Sequence, residues 1–100
     1  MRRVEAHIPA LLVTAVKERL ELIGIGAMTA VSCAGGVLRN SHTDFVRLEV
    51  VTSDEMADSI VRAVITVVRR HDRADGWIAI APVDEVVRIS TGQTGPDALY

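Results

Sequence analysis

Arg88 is followed by a run of small polar residues, Ser90-Thr91-Gly92-Gln93-Thr94-Gly95. Glycines at 92 and 95 can take positive φ, and successive backbone amides in such a turn can cradle an anion. The arginine adds a planar cationic fork suited to a carboxylate or phosphate. Gly35-Gly36 and Asp75-Gly76 offer two more stretches of the same kind. Together these residues suit the capture of a small anionic ligand. Taken alone, the segment also reads as an edge strand running into a surface loop.

Residues for catalysis are sparse. His7, His42 and His71 lie far apart, and only Glu49 stands out as an acid–base companion in the sheet. No Ser–His–Asp set or nucleophile motif is present, and the histidines lack metal-ligand spacing. Lone Cys33 sits in an apolar run and reads as a small buried hydrophobe. It cannot form an internal disulfide, which fits a reducing cytoplasm. The expectation is a protein that is not an enzyme.

The elements that must position these residues follow from periodicity. Residues 3–8 alternate, with Val4, Ala6 and Ile8 against Arg3, Glu5 and His7, and predict a half-buried strand. Pro9 ends it. Residues 11–23 place Leu12, Val16, Leu20 and Ile23 on one side of an amphipathic helix, with Gly24 as its C-terminal cap. Residues 28–34 and 45–51 predict two strands of a hairpin, with Thr29, Val31 and Cys33 on one face. Thr52-Ser53-Asp54-Glu55 reads as a capping box opening a helix with Met56, Ile60, Val61, Val64, Ile65 and Val68 along one side. Arg69, Arg70 and His71 fall in its last turn, where the helix dipole favours cations. Residues 72–76 form a polar loop, and residues 77–81 a fourth strand. Residues 83–90 predict a last strand, with Val87 and Ile89 facing opposite to Val86, Arg88 and Ser90.

The order β-α-β, β-α-β is the ferredoxin-like α+β sandwich: an antiparallel sheet with two helices on one face. The other face would carry Glu5, His7, Arg47, Glu49, Val51, Trp77 and Ala79. A tryptophan among such residues on an open sheet predicts that another subunit covers it. The 100 residues, 49% hydrophobic, fit one domain spanning 1–100. A net charge of −2 argues against a nucleic-acid binder. No apolar run is long enough to cross a bilayer, and nothing resembles a signal peptide, so a cytoplasmic protein is expected.

The chain resembles the PII family of signalling proteins almost end to end. Ala27-Met28-Thr29 is similar to the family's Gly-Met-Thr strand start, and Ser41-His42-Thr43-Asp44 to its Gly-His-Thr-Glu segment. Ala74-Asp75-Gly76-Trp77 is similar to its Gly-Asp-Gly-Lys loop. The most specific match is Val87-Arg88-Ile89-Ser90-Thr91-Gly92-Gln93-Thr94-Gly95-Pro96-Asp97-Ala98, against Val-Arg-Ile-Arg-Thr-Gly-Glu-x-Gly-x-Asp-Ala. The resemblance implies a homotrimer with adenine nucleotides in clefts between subunits, and a regulated partner protein such as a membrane transporter or an enzyme. The nucleotide is an effector, not a cofactor. The site it implies comprises Thr29, Gly35, Gly36, Val37, Glu49, Val51, Asp75, Gly76, Trp77, Arg88, Ser90, Thr91 and Gly92.

The departures are specific. The family's long signalling loop, with its tyrosine modification segment, is cut short between residues 37 and 44. Trp77 replaces the phosphate-loop lysine, Ser90 a second arginine, and His7 an apolar residue facing the cleft. Fewer cations predict AMP or ADP ahead of ATP. One alternative is a PII-like protein of carbon or bicarbonate uptake or of the carboxysome, its nucleotide site divergent or lost. Another is a metal-binding trimer like the divalent-cation-tolerance proteins.

Overall fold

The computed structural model describes residues 1–33 and 44–99, with Cys33 described by its backbone alone. Strand β1 is Arg2–Pro9. A single 3-10 turn, Ala10–Leu12, leads into helix α1, Val13–Leu22. Strands β2, Thr29–Cys33, and β3, Phe45–Thr52, are followed by helix α2, Asp54–Arg69, and strand β4, Trp77–Pro82. A second 3-10 turn, Gly95–Leu99, closes the described chain. The four strands form one antiparallel sheet in the order β2-β3-β1-β4.

Alternation along β1 and β3 sorts side chains between the two faces. Val4, Ala6, Ile8, Val46, Leu48 and Val50 meet Val16 and Leu20 of α1 and Ile60, Val64 and Val67 of α2 in one core. The opposite face carries rows set by register: Thr29, Glu49, Glu5 and Ala79 in one, Val31, Arg47, His7 and Trp77 in the next. The expected open face is therefore present, and so is the expected hairpin pairing of β2 with β3.

Helix α1 ends as Gly24 predicts. Gly24 has φ +92°, its N–H donates to the Glu21 carbonyl at 3.0 Å, and Ile25 N–H donates to Leu20 at 2.9 Å. This paired closure satisfies two terminal carbonyls and favours glycine at the left-handed position.

Three local expectations are corrected. The cap of α2 is Ser53, whose Oγ accepts from Met56 N–H at 3.3 Å. Thr52 belongs to β3 and is buried, so the reciprocal Thr–Glu box does not form. The fully buried stripe of α2 runs through Ala57, Ile60, Ala63, Val64 and Val67, while Val61, Ile65 and Val68 are only half-buried. Finally, residues 83–90 do not form a strand. The β1–β4 ladder stops at Pro82 opposite Arg2, and Val83 N–H turns instead to the Met1 carbonyl at 3.1 Å. Beyond it, among the described residues, only Val87 and Thr94 bridge, across a turn that folds back on itself.

Candidate functional site

The turn after Val86 is held by its own backbone. Arg88 N–H donates to the Gln93 carbonyl at 2.9 Å, Gly92 N–H to Arg88 at 2.8 Å, and Gly95 N–H to Val86 at 3.1 Å. Gly92 and Gly95 take φ of +73° and +74°, a region costly for residues with a Cβ. The alternation seen in sequence therefore serves a local hairpin.

This hairpin presents Arg88 to a recess of about 440 Å³ lined by Gly26, Ala27, Met28, Thr29, Glu49, Val51, Arg88, Ala98 and Leu99. Thr29 and Glu49 meet there because they are directly opposed in the β2–β3 pairing. Arg88 is steered inward by a hydrogen bond from its Nε to the Ala98 carbonyl at 3.1 Å, and Ala98 is itself buried. The bond engages Nε and leaves the terminal guanidinium nitrogens without a protein partner among the described residues. Glu49 and Arg88 bring opposite charges to one recess without an ion pair between them.

Four expected site residues thus come together: Thr29, Glu49, Val51 and Arg88. Ser90, Thr91 and Gly92 do not join them. They are exposed at the hairpin tip, where Thr91 Oγ1 accepts from Gln93 N–H at 3.2 Å. The contribution of Ala98 and Leu99 was missed in sequence. Its signal is the apolar pair just beyond Gly95-Pro96, placed to return the chain to the fold.

Asp75, Gly76 and Trp77 lie at the other edge of the sheet, beside β4. Gly76 packs so closely over β1 that an added Cβ would collide with the His7 carbonyl oxygen. Its N–H donates to Asp75 Oδ1 at 2.8 Å, so the carboxylate of the loop occupies an amide expected to cradle an anion. The His7 ring stacks on Trp77 with centroids 3.7 Å apart and planes 14° apart. Glu5 Oε1 lies 3.4 Å from Arg47 Nε and 3.8 Å from His7 Nε2. His7 Nδ1 is buried without a hydrogen-bond partner among the described residues. Gly35, Gly36 and Val37, the Ser41-His42-Thr43 part of the connector, and the burial expected of Cys33 lie outside the described residues. Among the described residues no three His, Cys, Asp or Glu side chains gather as a metal site. No helix among them is long and apolar enough to cross a membrane.

A family model described as nitrogen regulatory protein P-II matches residues 1–93. Nitrogen regulatory protein P-II of Cereibacter sphaeroides is 31% identical over 112 aligned residues, covering 99% of this chain and 100% of that protein. The Rhizobium meliloti (strain 1021) protein of the same name gives 31% over the same span and coverage. Both alignments exceed the 100 residues of this chain, so the relatives carry segments it lacks. Arabidopsis thaliana PII, in a crystal structure bound to citrate, superposes with a TM-score of 0.85 at 28% identity, covering 97% of this chain and 90% of that one. Sequence and fold agree, and the chain belongs to the P-II family of nitrogen regulatory proteins.

Proposed function

We propose that this chain is a non-enzymatic, cytoplasmic regulator that assembles as a homotrimer, binds an adenine nucleotide between subunits, and reports its occupancy to a partner protein. The observation that carries this reading is the placement of the two residue groups. The Thr29–Glu49–Val51–Arg88 recess and the Gly76–Trp77 loop over His7 sit at opposite edges of one sheet. Neither is a complete site, and a neighbouring copy supplies the missing half of each. Three such copies close into a ring, and the open sheet face with Trp77 and Val51 is covered in it.

Arg88 is the one expected cation in the recess, and Trp77 places a ring where the family has a lysine. Each lost charge-assisted contact is worth about 1.5–3 kcal/mol. A triphosphate forfeits most, so AMP and ADP bind ahead of ATP. Titration calorimetry with the three nucleotides tests this, and ATP binding tightest to the wild-type protein overturns the ranking. Citrate, named in the Arabidopsis structure, serves as a non-nucleotide anion control.

A second reading has its own support. Asp75 occupies the Gly76 amide and His7 covers one face of Trp77, which leaves that half of the site closed to phosphate. The protein is then a trimeric regulator whose nucleotide site is lost. No heat and no thermal shift with any of the three nucleotides at millimolar concentration selects this reading.

A further inference from the structure

Asp75 is the one aspartate of this chain that a glycine follows. Asp44, Asp54, Asp58, Asp72, Asp84 and Asp97 all precede residues whose side chains crowd the next backbone nitrogen. Glycine brings no Cβ to that approach. The geometry adds to the composition. The Gly76 N–H donates to Asp75 Oδ1 at 2.8 Å, which folds the carboxyl back over the peptide bond that follows it. Cγ, one bond from Oδ1, is therefore held against the Gly76 nitrogen. A nucleophile and a carbonyl carbon kept together in one chain react far faster than the same groups apart. Asp75 is also exposed, so its carboxyl is open to protons and water. Asp54 and Asp58 lack this freedom, because their backbone is fixed in α2.

We propose that Asp75–Gly76 is a site of spontaneous backbone rearrangement, through a cyclic imide to isoaspartate. The Gly76 nitrogen attacks Cγ of the protonated Asp75 carboxyl. The N–Cγ bond forms, the Cγ–OH bond breaks, and the hydroxyl and the amide proton leave as one water. Water then adds back to either carbonyl of the ring. Opening at Cγ restores aspartate. Opening at the former backbone carbonyl breaks its bond to the Gly76 nitrogen, and the chain then runs through Cβ and Cγ of residue 75. One water is lost and one regained, so the product has the mass of the starting protein and no oxidant or second reactant takes part.

The loop has no room for that product. Isoaspartate inserts one more carbon into the backbone just before Gly76, where an added Cβ would already collide with the His7 carbonyl oxygen. His7 cannot retreat, because β1 is paired with β3 on one side and β4 on the other. Gly76 must move away from β1, and Trp77, the next residue, is drawn off the His7 ring on which it stacks. The rearrangement thus ages one end of the proposed cleft, while the chemistry itself does not depend on the nucleotide reading.

The test incubates the intact protein in warm, mildly acidic to neutral buffer and maps its tryptic peptides by mass spectrometry with electron-transfer fragmentation. Peptide 74–88 carries both Asp75 and Asp84, so Asp84, followed by Glu85, is an internal reference. Isoaspartate should accumulate at Asp75 about tenfold or more ahead of Asp84, preceded by a form lighter by one water. Asp75→Asn should reach the same product faster, with loss of ammonia. Asp75→Glu, which would have to close a larger ring, should give no rearranged product at this position. Trp77 is the single tryptophan, and its emission should change in step with conversion in the wild type and hold steady in Asp75→Glu. A sample unfolded in urea shows what the same sequence does without the fold. No isoaspartate at Asp75 in the native protein, whatever the unfolded chain does, overturns the proposal. Equal conversion at Asp84 overturns it as well. Conversion that leaves Trp77 emission unaltered overturns the displacement of the stack.

Discussion

The imidazole of His7 lies nearly parallel to the indole of Trp77, 3.7 Å between centroids, because β1–β4 register sets the two residues directly opposite each other. The stack defines the Gly76 loop end of the proposed cleft. Trp77→Lys removes it and introduces a cation at that edge. Stability should fall by about 0.5–1.5 kcal/mol, the worth of an aromatic pair. ATP should gain on AMP by about tenfold, the equivalent of one charge-assisted contact. Calorimetry on wild type and variant measures both nucleotides, and an unchanged ATP-to-AMP ratio contradicts the role given to this position.

Gly76 is required for space. A methyl group there meets the His7 carbonyl oxygen, which belongs to a strand paired on both sides and cannot yield easily. Gly76→Ala should therefore destabilise the protein by about 1–3 kcal/mol, in the range of overpacked sites. Gly26→Ala is the control: nothing lies within 4 Å of its added Cβ, and its φ is not positive. It should stay within about 0.5 kcal/mol of wild type. Urea unfolding distinguishes them through the midpoint at constant slope.

Much of this fold was legible in the chain itself. Val4, Ala6 and Ile8 alternate with Glu5 and His7, and that period survives intact as core and open face. Leu12, Val16 and Leu20 repeat at helical spacing and are all buried. Residues 83–90 were misread because alternation alone cannot tell a strand that pairs with the sheet from one arm of a local hairpin. Pro82 and the two positive-φ glycines decide between them. Arg88, Thr29, Glu49 and Val51 were grouped from the sequence, and the fold brings the four to one recess. That Asp75 would occupy the Gly76 amide depends on a side-chain rotamer, and that Ala98 would tether Arg88 depends on where the hairpin lands. Neither leaves a periodic trace.

Asp54 sets an acid limit on stability. Its carboxyl is held below the ordinary value of 3.8, first by the hydrogen bond and charge of the N-terminal ammonium, 3.0 Å away, and then by Arg2. The folded value lies below the unfolded one, so the contribution is present above pH 3.8 and is lost as pH falls through the lowered folded value. Asp54→Asn should be less stable than wild type near neutrality, and the difference should close in acid. Acetylating the N-terminus should reproduce most of the loss. Thermal melts across pH read both, and a gap that persists in strong acid would assign the effect to something other than this ion pair.

Arg88 tests the candidate site most directly, because it has two separable jobs. Its Nε donates to the Ala98 carbonyl and ties the last 3-10 turn to the hairpin, while its terminal nitrogens carry the charge of the recess. Arg88→Ala removes both and should weaken AMP binding by about 1.5–3 kcal/mol. Arg88→Lys keeps a charge but loses the planar fork, so it should recover only part of that affinity. Arg73→Ala, an exposed cation on the far loop, should bind as wild type does. Each variant is titrated with AMP and ATP and followed by thermal melting. If Arg88→Ala shifts the melt but binds both nucleotides as wild type does, the arginine is only a tether. If it abolishes binding with little change in the melt, the charge in the recess is what the ligand meets.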